Sequence, residues 1–158
     1  MEVSHLFPQP LARFRAPNDV IQAAMGLIDD SIIGEPVKVY NYLLECANDY
    51  SIDVLGLSNV VVRDMEKIVI HTDATFTKGD YIAFGVFAVH IPHNICRIEY
   101  SNPSDIMLSV DTVHSYSKSN LYISKNELLI FTSAPEIVTP INQGDSIFIT
   151  FKIKYYVD

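Results

Sequence analysis

IAFGVFAVHI, residues 82–91, is the stretch on which the fold assignment depends. It is long and apolar and predicts a β-strand, and Gly85 inside it indicates a bulge or a point of close packing. Seven or eight short strands in one chain predict a β-sandwich or jelly roll. The other strand candidates are residues 60–62, 68–70, 97–100, 106–110, 120–123, 127–131 and 146–156.

The first fifty residues have a different character. Residues 5–14 contain two prolines, which predict an extended segment at a sheet edge or across the surface. One helix is predicted to begin with Asn18 or Asp19 as its N-cap, and a second at Pro36, because proline suits a first helical turn. The predicted apolar faces of the two helices comprise Val20, Ala23, Ala24, Leu27 and Ile28, and Val39, Tyr40, Leu43, Leu44 and Ala47.

Length and composition limit the organisation of the chain. A length of 158 residues, 49% of them apolar, favours one folded domain with a hydrophobic core. The aromatic residues are Tyr and Phe, without Trp. Helical signals stop near Tyr50, and the chain becomes β-like from Ile52. We therefore predict a single jelly-roll domain over residues 1–158, with an N-terminal segment and two helices in 1–50 and a β core in 51–158.

Charge and hydropathy exclude two classes of partner. The net charge of −8 and the scattered basic residues argue against a nucleic-acid interface, which needs clustered Lys and Arg. No stretch reaches the roughly 20 apolar residues of a membrane span, so we predict no membrane contact. Cys46 and Cys96 form neither a CxxC pair nor a disulfide framework, and we predict that both are buried thiols.

The segment His71-Thr72-Asp73 is the candidate metal-binding element. A histidine and a carboxylate two residues apart on an extended segment point to the same face and could hold one metal ion. They would supply two of the three ligands of the facial triad used by non-haem iron(II) oxygenases. The alternative is a strand-end Asx-turn at Asp73, with His71 as an ordinary half-exposed side chain.

Five segments of the chain, taken in order, resemble sequence motifs that occur in the same order in one protein family. LFPQPL at residues 6–11 resembles that family's opening LFPTPL, and FGVFAVHIP at 84–92 resembles its SGVYYLxxP strand. RIEYSNP at 97–103 resembles GxIxFxDP, and SIFITF at 146–151 resembles the closing RxSISFN. ELLIF at 127–131, continued to Pro140, resembles GxLxLFPSWLPHxVxP. These are motifs of a phage family of small 2-oxoglutarate/iron(II) oxygenases, and the resemblance implies a double-stranded β-helix, a form of jelly roll.

The resemblance also implies where the site residues would lie. His71 and Asp73 occupy the place of the first two metal ligands, but Glu136 stands at the position of the distal histidine. Ser146 stands where the family has the arginine that grips 2-oxoglutarate, and burying that carboxylate without a paired cation costs several kcal/mol. Lys152 and Lys154 follow on alternate positions of the same strand, and their facing is not evident from the sequence.

Three functions follow from these features as hypotheses. The first is a non-catalytic phage structural or assembly protein without cofactors, located in the virion or in the host cytoplasm during assembly, which binds other virion proteins or itself. The second is an active hydroxylase that uses Fe(II) and 2-oxoglutarate with His71, Asp73 and Glu136 as metal ligands. The third is a sugar- or receptor-binding jelly roll, in which Tyr would replace the absent Trp.

Overall fold

The secondary structure is mainly β, with two helices near the N-terminus. The structure is a computed structural model that describes residues 1–6, 9–27, 35–70, 74–75, 81–92, 95–101, 118–132, 136–138 and 145–155. The strands are β1 Glu2–Leu6, β2 Gln9–Arg15, β3 Val60–Ile70, β4 Ala74–Thr75, β5 Ala83–His90, β6 Ile95–Ser101, β7 Lys118–Ser124, β8 Glu127–Phe131, β9 Glu136–Val138 and β10 Ser146–Tyr155. The helices are α1 Asn18–Met25 and α2 Pro36–Tyr50, and α2 continues into a π-helix at Ser51–Leu55.

The strands form two antiparallel sheets. The larger sheet has six strands in the order β1-β2-β8-β5-β10-β3, and the smaller has four in the order β4-β9-β6-β7. Neighbours in space are mostly distant in sequence, as in the pairing of β10 with both β3 and β5. Two sheets built by such crossovers have the architecture of a jelly roll. The predicted strand at residues 106–110 lies outside the described residues.

The larger sheet is covered on both faces, which explains why β5 is apolar throughout. Phe84, Val86 and Ala88 point into an apolar cluster that also includes residues of the smaller sheet. Phe87 and Val89 point to the opposite face, where they join the side chains of α1 and α2 in a second cluster. Successive side chains of a strand alternate between faces, so a strand between two cores must be apolar at nearly every position.

Both helices pack against the larger sheet through the described residues of their predicted faces, while Ile28 lies outside the described residues. Val20, Ala23 and Ala24 of α1 are buried, and Pro36 is the first residue of α2, as predicted. The predicted N-cap of α1 was wrong: Pro17 occupies that position, in extended conformation, and no side chain caps the helix. The described helices include none long and apolar enough to span a membrane.

The prediction that the chain becomes β-like from Ile52 was also wrong. The π-helix extends α2 to Leu55 and ends at Gly56, which has a φ of +66°. Glycine adopts this left-handed conformation without the steric cost of a side chain, so it ends the helix. Ile52 is β-branched and apolar, which suggested the start of a strand. In the structure it belongs to the π-helix and is exposed to solvent.

Two strand candidates of the sequence are one strand in the structure. β3 spans both β-branched runs and pairs with β10, with a register shift between Thr150 and Lys152. Opposite this shift, Asp64 has a φ of +54°, which is typical of a β-bulge.

The segment with two prolines was predicted to lie at a sheet edge or across the surface. Pro8 lies outside the described residues, and Pro10 lies in β2, which is the second strand of the larger sheet rather than its edge. Pro10 pairs with β1, while the pairing of β2 with β8 starts only at Leu11. Because Pro10 does not pair with β8, the N–H group that proline lacks takes no hydrogen bond away from that strand pair.

Candidate functional site

The pairing of β4 with β9 places the backbone of one predicted metal ligand beside the strand that follows the other two in the sequence. His71 and Asp73 lie outside the described residues, but they directly precede β4 in the chain. In the antiparallel register Thr75 faces Glu136, so the backbone of the third predicted ligand lies beside the strand that follows Asp73. The metal site as a whole stays a prediction. The described part of the chain contains no group of three potential His, Cys, Asp or Glu ligands.

Ser146 lies at the same end of the fold. It is the first residue of β10, and its register partner on β3 is Ile70, the residue before His71. The side chain of Ser146 is buried, with 2% of the residue exposed. The position that resembles the family's arginine therefore adjoins the predicted metal-binding segment, but it carries a small neutral hydroxyl group.

Near Ser146, the described side chains between the two sheets are mostly apolar. Phe84, Phe131 and Phe148 are at most 4% exposed and belong to one cluster with Cys96 and Ile123 of the smaller sheet. Phe148 lies two residues from Ser146 and pairs with Ile68, which packs against the same cluster. The described residues of this cluster offer no cationic partner for a carboxylate, whose burial then costs several kcal/mol.

Lys152 faces the space between the sheets but lies far from Ser146. Its register partner on β5 is Phe84, a residue of the inter-sheet cluster. Six residues of extended strand separate it from Ser146, a distance of roughly 20 Å. Its Nζ lies 3.4 Å from Asp64 Oδ2 and 5.7 Å from the centre of the Tyr81 ring. Lys152 therefore forms its contacts at the end of the sheet opposite Ser146. Lys154 is half-buried and lies two residues further along β10.

An ion pair that the sequence did not reveal joins β2 to the first residue of β8. Arg13 Nη1 donates to Glu127 Oε1 at 2.7 Å, and Arg13 Nη2 donates to the carbonyl oxygen of Tyr122 at 3.0 Å. The backbone N–H of Ser124 donates to the same Glu127 oxygen at 2.8 Å. Arg13 and Glu127 are 114 residues apart in sequence, so no local pattern could have indicated this contact.

A cleft of about 460 Å³ lies beside this ion pair, on the side of α2. Tyr42 and Cys46 line it from α2, and their side chains are hydrogen-bonded to each other. Burial raises the pKa of the Cys46 thiol from 9.0 to about 12, and it raises the pKa of Tyr42 further above its usual range. Both cysteines are buried free thiols, as predicted from the sequence.

The Cys46 thiol should make the protein less stable in alkali. Its folded pKa of about 12 lies above the unfolded value of 9.0, so between these pH values the unfolded chain loses a proton that the folded chain keeps. The stability contribution is complete below pH 9 and is lost as pH rises, by up to about 1.4 kcal/mol per pH unit. Urea unfolding between pH 8 and 10.5 should show this slope, and Cys46→Ala should reduce it. Equal slopes in both proteins would contradict the assignment.

Comparison with known proteins identifies the fold. No family model and no curated protein matches the sequence. Among solved structures, a Pseudomonas putida prolyl-4-hydroxylase is similar, with a TM-score of 0.56 and 12% sequence identity over 93% of each chain. The fold is a double-stranded β-helix. This agrees with the jelly-roll architecture predicted from the sequence, while an identity this low carries no information about activity.

Proposed function

We propose that this chain is a non-catalytic phage structural or assembly protein that keeps an oxygenase-like double-stranded β-helix as a scaffold. In this role it binds other virion proteins or copies of itself, in the virion or in the host cytoplasm during assembly. Jelly rolls serve readily as building modules, because the core between their sheets remains stable whatever their loops bind. The phage assignment rests on the five-segment sequence resemblance.

The observation that carries this proposal is the environment of Ser146. A 2-oxoglutarate site at this position would need a cation and an open volume. Here the serine is buried, Phe148 fills the adjacent interior, and Lys152 is held by Asp64 roughly 20 Å along the strand. The described residues around Ser146 thus do not fit the cosubstrate.

Iron(II) titration of the purified protein, with and without 2-oxoglutarate, tests the absence of catalysis. We expect 2-oxoglutarate to leave the iron affinity unchanged, because the cosubstrate lacks a paired cation. Succinate formation should equal that of a protein-free control. Stoichiometric iron whose affinity rises with 2-oxoglutarate would contradict the proposal. The proposed structural role is tested by mass spectrometry of purified phage particles. The chain should be present in a fixed ratio to the major capsid protein.

An active Fe(II)/2-oxoglutarate hydroxylase is the second candidate, and one specific observation favours it. The β4–β9 pairing places the backbone of Glu136 beside the strand that follows His71 and Asp73, as a shared metal site would require. Oxygen ligands and imidazole both suit iron, which would supply the oxygen-activating chemistry. His71→Ala separates the two candidates, because it should abolish iron binding and 2-oxoglutarate turnover in a hydroxylase and leave a scaffold protein's assembly unchanged.

A further inference from the structure

We propose that β3 pairs edge to edge with β3 of a second copy of this chain, so that the larger sheets of the two copies become continuous. β3 is the last strand of the larger sheet, and among the described residues only β10 pairs with it. Its other edge, the open edge, therefore presents backbone groups outside any strand pair, which favour the addition of a further strand. The choice of a second copy as the partner rests on the proposed function, in which the chain binds copies of itself.

The direction of the backbone groups of β3 follows from its neighbour β10. The N–H of Ile82, just before β5, donates to the carbonyl oxygen of Ile153 at 2.8 Å, so Ile153 directs its backbone groups toward β5. In an antiparallel pair, residues that exchange both hydrogen bonds alternate with residues that exchange none. Val62, the register partner of Ile153 on β3, therefore directs its N–H and C=O to the open edge. By the same alternation along β10, Lys67 and Val69 do so as well.

Side chains and a bulge close the first half of the open edge. The carbonyl oxygen of Val62 accepts hydrogen bonds from Tyr40 Oη at 3.4 Å and from Arg63 Nη1 at 3.2 Å. The β-bulge at Asp64 follows, and bulges interrupt the pairing of an edge strand. The part of the open edge that a further strand can join is therefore its second half, residues 65–70.

The second half of the open edge carries an exposed apolar side chain that a partner strand would cover. Val69 is 42% exposed, and Lys67, two residues before it, is exposed as well. Ile68 lies between them and packs against the inter-sheet cluster. Because successive side chains of a strand alternate between faces, Lys67 and Val69 share the opposite face of the sheet. A second β3 strand would thus add main-chain hydrogen bonds and cover Val69 together.

Charge selects one register for a two-fold pair of these edges, in which the central residue faces its own copy. A centre at Met65 would draw the bulge into the pair, and centres at Glu66 or Lys67 would place like charges directly opposite each other, which is destabilising. A centre at Val69 would leave Lys67 opposite a residue beyond the end of β3. A centre at Ile68 sets Lys67 opposite Val69 of the second copy. Both pairs then exchange their N–H···O bonds, and the aliphatic stem of Lys67 covers the valine.

Sedimentation velocity of the full chain over a range of concentrations tests the proposal. We expect a monomer–dimer equilibrium, since a two-fold contact closes at two copies. Val69→Lys sets a lysine opposite Lys67 of the second copy at both symmetry-related positions, and it should raise the dimer Kd by about tenfold. Val37→Lys is the matched control, because it makes the same change at a valine of α2 that is 71% exposed. Its Kd should equal that of the parent protein.

A charge pair introduced across the edge tests the register. Adding Lys67→Glu to Val69→Lys sets a glutamate opposite a lysine, so the double variant should dimerise more tightly than Val69→Lys alone. In the parent protein, amide hydrogen exchange at Lys67 and Val69 should slow as the protein concentration rises. A monomer at every concentration, oligomers larger than two, or a double variant that dimerises no more tightly than Val69→Lys would overturn the proposal.

The iron titration separates failure of this dimer from failure of the proposed function. A monomeric chain whose iron affinity does not respond to 2-oxoglutarate would overturn the dimer alone. A dimer with stoichiometric iron whose affinity rises with 2-oxoglutarate would overturn the non-catalytic role alone.

Discussion

Gly85→Ala is expected to destabilise the protein by about 3 kcal/mol or more, at the upper end of the cost of overpacking a core. A Cβ atom at position 85 would lie 2.0 to 2.6 Å from three ring atoms of Phe151. Phe151 is fully buried in the cluster between the larger sheet and the helices, so its ring has no free space to enter. In a chain of this length the expected loss corresponds to a decrease in Tm of roughly 10 °C, measurable by thermal unfolding.

Two further variants identify the cause of this loss. Gly56→Ala is the matched control, because a Cβ there meets nothing within 4 Å and only its φ of +66° is unfavourable, a cost of roughly 1–2 kcal/mol. Phe151→Leu shortens the clashing side chain, so the double variant with Gly85→Ala should be more stable than the sum of the two single effects predicts. Equal losses at the two glycines, or simple additivity of the pair, would contradict close packing at Gly85.

Ser146→Arg is expected to destabilise the protein by about 3–5 kcal/mol, the cost of an unpaired buried charge. The substitution introduces the residue that stands at this position in the family that the sequence resembles, but into a buried site beside Phe148. Charge burial without a partner and insertion of a long side chain act in the same direction. Chemical denaturation with urea measures the loss.

Ser146→Ala and Ser58→Arg are the controls for this substitution. The first removes only a hydroxyl group, and the second replaces a serine by the same arginine at an exposed position between the π-helix and β3. Both should change stability by less than about 1 kcal/mol. A stable Ser146→Arg protein that gains 2-oxoglutarate binding would mean that the interior can still open, and it would favour the hydroxylase over the scaffold.

Local sequence patterns predicted most of the elements. Pro36 marks the first turn of α2, because its fixed φ suits a helix start. The apolar run at β5 predicted a strand, and the glycine within it predicted a bulge or close packing; Phe151 shows that close packing is the reason. The π-helix was missed, because β-branched residues after Tyr50 resemble a strand start while tertiary contacts prolong the helix. The short strands β4 and β9 were missed as well, since two or three residues carry no periodic signal.

For the candidate sites, too, some features were determined by the sequence and others only by the tertiary structure. By itself the sequence determined which residue types are present: His71 and Asp73 two apart, a glutamate at position 136, a serine at 146, and two lysines on the last strand. Only the tertiary structure decided which of them are neighbours. The pairing of β10 with β3 placed Ser146 beside Ile70, and the strand's length separated Lys152 from it. The Arg13–Glu127 pair joins residues 114 positions apart in the sequence, and the cleft beside α2 lies next to it. The hydrophobic pattern of a strand determines which of its faces is buried, but which distant strand lies beside it is decided only when the sheets assemble.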